Sequence, residues 1–268
     1  NYYVWSGGPN SGLPNNWKSE RGGPAWTFDP VRNQYYYHSK MKDVPDLNLT
    51  NPDVIAELRD IEKYWFDNGV DGLYVNDVAR LVENPDLKDE TLNVNEPDYW
   101  KQNHSQTVGL SESFDIFEDW NEYVKTNWKG RMLMSGGDPA YTEDAEADGS
   151  ALLTSMVLQQ AKHSDTAKDI KDSIDLWMRN IKDVKKTNWM LGNENVMRPA
   201  MRMKLDDPKY AVPLGMLQLL LPGVATVYYG EELGMKGGSV KPEEAKDLYA
   251  KDLGPNQKND TNSPLNAY

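Results

Sequence analysis

Gly69-Val-Asp-Gly-Leu-Tyr-Val-Asn-Asp-Val-Ala-Arg80 is the stretch that decides the fold. Before it, Asn51-Pro52 opens a run with Val54, Ile55, Leu58, Ile61, Tyr64 and Trp65 at helical spacing. Gly69 ends that helix, and Leu73-Tyr-Val75 reads as a short buried strand. The same order recurs downstream. A helix over 113–128 leads to the strand Met132-Leu-Met134, and a helix over 165–182, with Ile170, Ile174, Trp177 and Ile181 on one face, leads to Trp189-Met-Leu191. A helix over 208–221 leads to Thr226-Val-Tyr228. Helix and strand alternating in this way predict a parallel sheet wrapped by helices, an α/β architecture. The expected strands fall near 71–76, 131–135, 188–192 and 225–229, with right-handed crossovers between them. Active sites of such barrels gather at the strand C-terminal ends, where Asn76, Gly136 and Asn195 stand.

Three segments together resemble the catalytic motifs of the α-amylase family of glycoside hydrolases, most closely insect maltases and α-glucosidases. Residues 69–80 match a family run of the form G-V-D-G-F-R-I-D-A-V-P-H, with Tyr74 at the family's Arg and Asn76 at its nucleophilic Asp. Arg131-Met-Leu-Met-Ser-Gly-Gly-Asp-Pro-Ala-Tyr-Thr142 resembles L-L-M-T-E-A-Y-T, with Gly136 or Pro139 at the acid/base Glu and Asp138 close by in a turn. Trp189-Met-Leu-Gly-Asn-Glu-Asn195 resembles W-V-L-G-N-H-D, with Glu194 at the His and Asn195 at the Asp that stabilises the transition state. The likeness continues in order along the chain: Tyr2-Tyr-Val-Trp5, Asn15-Asn-Trp17, Gly22-Gly-Pro-Ala-Trp26, Gln34-Tyr-Tyr-Tyr-His38, Pro45-Asp-Leu-Asn48, Leu219-Leu-Leu-Pro-Gly223, Val227-Tyr-Tyr-Gly-Glu-Glu-Leu-Gly-Met235 and Ser263-Pro-Leu265.

The resemblance implies a partial TIM (β/α)8-type barrel with an excursion subdomain. Residues 1–50 are expected to form the excursion, 51–235 the β/α units, and 236–268 a surface loop with one helix over 242–251. The first barrel strands and a C-terminal β-domain are expected to lie outside this sequence, since a complete barrel takes about 250 residues. A partner is therefore expected in the missing N-terminal segment of the same protein, because half a parallel barrel leaves strand edges open.

A retaining glycosidase needs a carboxylate nucleophile and a carboxylic acid, and an amide at Asn76 cannot carry the charge. The sequence thus predicts a protein that is not an enzyme, with Tyr74, Asn76, Asn195 and Arg198 lining a vestigial sugar pocket. Tyr74 is expected to fill its innermost part, leaving weak or no sugar binding. Asp77, adjacent to Asn76 on an extended segment, should point the other way. Glu231 and Glu232 fit capping and loop hydrogen bonds better than a catalytic dyad. The roles open at this point are a glycosidase-like ectodomain similar to amino-acid-transporter heavy chains, and a secreted storage or carrier protein. The alternative is an active α-glucosidase using non-standard residues on maltose- or sucrose-type substrates. A protein partner or small ligand accompanies the first two.

Composition sets the outer limits. The 268 residues are 38% apolar, with 15 Tyr and 9 Trp, enough for a substantial core. A formal charge of −13 argues against nucleic-acid binding, which rests on Lys and Arg neutralising phosphates. No cysteine occurs, so neither disulfides nor thiolate metal sites are available. The only histidines, His38, His104 and His163, lack metal-ligand spacing; no metal and no cofactor are expected. Acceptor triplets for N-glycosylation occur at Asn103, Asn259 and Asn48. The family setting implies an extracellular location, or the outer face of a membrane if a span precedes this sequence.

Overall fold

A computed structural model describes residues 1–8, 10–92, 99, 102–137, 152–194, 196–204, 211–238 and 246. The helix expected over 242–251 falls almost wholly outside them. The chain divides into two compact units, residues 1–73 with 77–132, and residues 74–76 with 133–268.

The first unit opens with a small antiparallel sheet of β1 (Trp5–Ser6), β2 (Trp26–Asp29) and β3 (Gln34–Tyr37), in the order β1-β3-β2. Its core is aromatic. The Trp17 and Trp26 rings stack at 5.8 Å, and the Tyr37 ring meets Trp17 edge-on at 5.3 Å. Asn15 ties the Trp17 backbone to the Trp26 indole, its Oδ1 accepting from the Trp17 backbone amide at 3.1 Å and from Trp26 Nε1 at 2.8 Å. Helix α1 (Pro52–Asp67) starts at the Asn51 cap, whose side chain accepts from the Asp53 amide, with proline in the first turn. Gly69, at φ 93°, turns the chain toward the next strand. Helix α2 (Ser111–Asn127) buries Phe114, Phe117, Trp120 and Val124 on one stripe. On α1 the apolar spacing overstates burial: Val54 and Phe66 are covered, whereas Ile61, Tyr64 and Trp65 are exposed.

The larger sheet runs β4 (Gly72–Val75), β5 (Met132–Gly137), β6 (Leu152–Ser155), β7 (Thr187–Met190) and β8 (Val224–Thr226), neighbouring strands following chain order. The pairs β5–β6, β6–β7 and β7–β8 are parallel. Helices α3 (Ala167–Asn180) and α4 (Ala211–Leu220) form the crossovers before β7 and β8. This is part of a TIM-type barrel, in which strand order follows the sequence. Three strands fall where periodicity places them to within two residues; β8 ends at Thr226, so Val227 and Tyr228, expected within it, lie beyond it, and β6 is additional. No helix-period segment leads into Leu152-Leu-Thr-Ser155, and only its pairing on both sides defines it as a strand.

Why the sheet faces as it does follows from β7. Thr187 and Trp189 point to the helical layer: Thr187 Oγ1 accepts from Trp177 Nε1 at 3.1 Å, and Trp189 Nε1 donates to the Pro222 carbonyl at 2.8 Å. Trp189 joins Leu153, Leu158, Ile174, Trp177, Ile181 and Leu191 in one core. Asn188, between Thr187 and Trp189 in sequence, must therefore face the other side.

Candidate functional site

That other side carries Gly136, one of the strand-end residues singled out from the sequence. In register, Gly136 on β5 pairs with Thr154 on β6, and Thr154 pairs with Asn188 on β7. Asn188 is fully buried; its Nδ2 donates to Thr154 Oγ1 at 2.8 Å, and its Oδ1 accepts from Thr226 Oγ1 at 2.6 Å. Three strands are thereby joined through one amide. On β4, Tyr74 turns to the same face, because a Cβ added to Gly136 would stand 3.0 Å from the Tyr74 hydroxyl. Asn76, one residue past the end of β4, is exposed. The structure thus brings together Tyr74 and Gly136, with Asn76 exposed just past the end of β4; Asn195 lies outside the described residues.

The tyrosine hydroxyl occupies the volume into which a side chain at 136 would grow. Neutral donors and acceptors remain on this face: a phenol, an exposed amide, and the buried Thr154–Asn188–Thr226 relay. None of these residues is a carboxylate. Asp77 does not join them. Its backbone is left-handed, at φ 53°, and its carboxylate pairs with Lys40. Asp138 and Pro139 fall outside the described residues.

The loops beyond β7 and β8 hold a second group of side chains. Arg198 is buried, donates to the Tyr229 carbonyl at 2.7 Å, and lies over the Tyr228 and Tyr229 rings at 5.1 and 4.7 Å. Its guanidinium fastens the turn after β8. Arg202, which nothing in the sequence marks, is also buried and donates to the carbonyls of Ala161, Met197, Leu158 and Leu191 at 2.7 to 3.0 Å. Burial lowers its pKa to about 10, against the nearby Glu231 charge. Glu231 is pushed up to about 7 by burial, although the Tyr228 amide and both arginines favour its ionised form. It accepts from the Tyr228 amide at 3.2 Å, and its other oxygen lies 2.5 Å from where a Cβ on Gly192 would stand. Glycine at 192 is what lets this carboxyl close on the segment before Asn195. Glu194 in that segment is exposed.

The histidines serve the scaffold. His38 Nε2 meets Thr27 Oγ1 at 2.9 Å, His104 Nε2 meets the Tyr99 carbonyl at 2.6 Å, and His163 Nδ1 meets the Met203 carbonyl at 3.0 Å. Burial lowers the pKa of the first two. Among the described residues no cluster of His, Asp or Glu is arranged to hold a metal ion, and no helix is long and apolar enough to cross a membrane.

A parallel segment whose strands follow sequence order is the architecture of a TIM-type barrel protein, and known proteins of that fold match it. The alpha amylase catalytic-domain family matches residues 1–263, and the chain belongs to that family. It is 30% identical over 262 residues to the salivary alpha-glucosidase of Aedes aegypti, covering 87% of this chain and 44% of that protein. It is 34% identical over 259 residues to the amino acid transporter heavy chain SLC3A1 of Homo sapiens, covering 87% of this chain and 37% of that one. The crystal structure of an alpha-glucosyl transfer enzyme superposes with a TM-score of 0.87 at 25% identity, over 99% of this chain and 52% of its own. The chain spans less than half the length of these two curated relatives.

These relatives correct the expectation that the protein is not an enzyme. Its family includes a named alpha-glucosidase, and its fold is that of a glucosyl-transfer enzyme. The physical reason lies in how barrels build sites. Catalytic groups come from the ends of several strands, so neutral residues at three positions do not describe the whole constellation.

Proposed function

We propose that this chain is part of a larger extracellular protein of the alpha-amylase family, whose barrel works in ligand binding or in assembly with a membrane transporter. The observation that carries this reading is the strand-end face itself. Tyr74, closed against Gly136, and the exposed Asn76 present uncharged hydrogen-bonding groups suited to holding a polar ligand or partner segment. The 34% identity to a transporter heavy chain and the salivary setting of another relative support the extracellular assignment. Further strands of the same protein would complete the barrel. With its ring in front of Gly136, Tyr74 narrows the innermost sugar position, so maltose should bind weakly. Calorimetry giving micromolar maltose affinity that disappears in Tyr74→Ala contradicts that expectation.

A second reading, turnover of maltose- or sucrose-type α-glucosides, is favoured by the likeness to a named alpha-glucosidase. It requires the two carboxylates of glycoside hydrolysis to come from residues other than Asn76 and Gly136. One preparation separates the readings. The full-length protein is expressed in cultured cells, amino-acid uptake is measured, and the purified protein is assayed with a chromogenic α-glucoside. Increased uptake supports the assembly role. Turnover of the chromogenic substrate by the purified protein supports the second reading, and its absence alongside increased uptake supports the first.

A further inference from the structure

We infer that Asn103 carries an N-linked glycan and that Asn48 does not, an inference that rests on the extracellular setting proposed above. Both belong to Asn-X-Ser/Thr triplets, Asn103-His-Ser105 and Asn48-Leu-Thr50. The fold treats them differently.

Asn103 stands between two anchors. On one side Gln102 is buried, its Oε1 accepting from the Lys18 amide and its Nε2 donating to the Asn16 carbonyl, both at 3.1 Å. On the other, the His104 ring stacks on Tyr99 at 3.9 Å, and Thr107 donates to Glu90 Oε1 at 3.1 Å. Between these fixed points His104 takes a left-handed backbone, φ 54°, and both Asn103 and Ser105 are exposed. The Asn103 backbone amide is satisfied by the Thr91 carbonyl at 3.0 Å. Its carboxamide makes no hydrogen bond to any described residue. A sugar attached there leaves every anchor in place and projects into solvent.

Asn48 is committed to the fold. Its Oδ1 accepts from the Thr50 amide at 3.2 Å and from Thr50 Oγ1 at 2.6 Å, and its Nδ2 is turned toward the Asn1 carbonyl at 3.4 Å. The residue is half-buried, with its backbone amide held by the Tyr2 carbonyl at 2.9 Å. A glycan on that nitrogen would enter the space between Asn48 and the first residues of the chain.

The chemistry is a glycosyl transfer from a lipid-linked oligosaccharide diphosphate. The Asn103 amide nitrogen bonds to the anomeric carbon as that carbon's bond to the diphosphate oxygen breaks. The lipid diphosphate leaves with the electron pair, and the amide nitrogen gives up one proton.

The full-length protein, expressed in cells with a secretory pathway, is recovered from the medium or cell surface. It is then deglycosylated with an amidase in ¹⁸O-water, which converts a glycan-bearing Asn to ¹⁸O-labelled Asp. The label is expected at position 103 and absent at 48. Asn103→Gln should lose one glycan on gel mobility, Ser105→Ala should lose the same one with Asn103 intact, and Ser105→Thr should retain it. Unlabelled Asn103 in secreted or surface protein, or label at Asn48, overturns this inference alone. A protein found only in the cytosol overturns it together with the extracellular reading.

Discussion

At position 136 there is no room for a side chain while Tyr74 keeps its place, since a Cβ there would stand 3.0 Å from the phenol oxygen. Gly136→Glu should therefore lower stability by about 1–3 kcal/mol, and Tyr74→Ala in the same protein should recover part of the loss. Denaturant midpoints of the two single variants and the double variant check this; simple additivity would show that the residues do not share the space. Glu62 offers a second test. It is buried near Arg59 and Asp119, one carboxyl oxygen has no hydrogen-bond partner among the described residues, and its pKa is raised by burial to about 7 from 4.5. A carboxyl whose folded pKa lies above its unfolded value holds its proton more tightly in the folded state. Its contribution is most favourable below about pH 4.5, is lost as pH rises toward 7, and stays lost above. Glu62→Gln should then gain roughly 1 kcal/mol at pH 8 after solvent screening, and little at pH 5. Thermal melts at the two pH values decide it, and an equal effect at both would reject the assigned shift.

Among the elements, α3 has the most complete start. Thr166 accepts from the Asp169 amide, and Asp169 reaches back to the Thr166 amide, a reciprocal capping box. Thr166→Ala should cost about 1 kcal/mol, read as a lower unfolding midpoint, while Thr166→Ser should be close to neutral. The turn between α4 and β8 is held by a different device. Gly223 lies at φ 122°, and a Cβ there would sit 2.3 Å from the Thr187 carbonyl oxygen. That oxygen belongs to the backbone and cannot swing aside, so Gly223→Ala should destabilise by about 2 kcal/mol or more. A melt unchanged from the parent would show that the turn does not approach β7 so closely. These starts and turns are legible from residue types alone: Thr three before Asp, and Pro-Gly after an apolar helix. β6 is not, because Leu152-Leu-Thr-Ser becomes a strand through hydrogen bonds made to β5 and β7.

At the scale of the whole molecule, Val212, Met216, Leu219 and Leu220 on α4, with Val227 and Leu233 beyond β8, are exposed apolar groups. Isolated soluble domains seldom leave so many together uncovered. The 268-residue chain produced alone should associate or bind a hydrophobic dye, and the full-length protein should do neither; light scattering of both checks this. Helix–strand alternation, the approximate place of four of the five strands, the uncharged residues at 76 and 136, and the family were all determined by the sequence itself. Each depends on the spacing and identity of neighbouring residues, which local sterics and hydrophobic periodicity translate directly. Only the tertiary structure decided that Tyr74 closes on Gly136, that Asn188 joins Thr154 and Thr226, and that Arg202 binds four carbonyls. It also decided that Glu231 closes on Gly192 and that Asn103, not Asn48, faces solvent unencumbered. Those outcomes turn on which side of a strand or loop a side chain takes, and on partners tens of residues away that packing alone brings within hydrogen-bond reach.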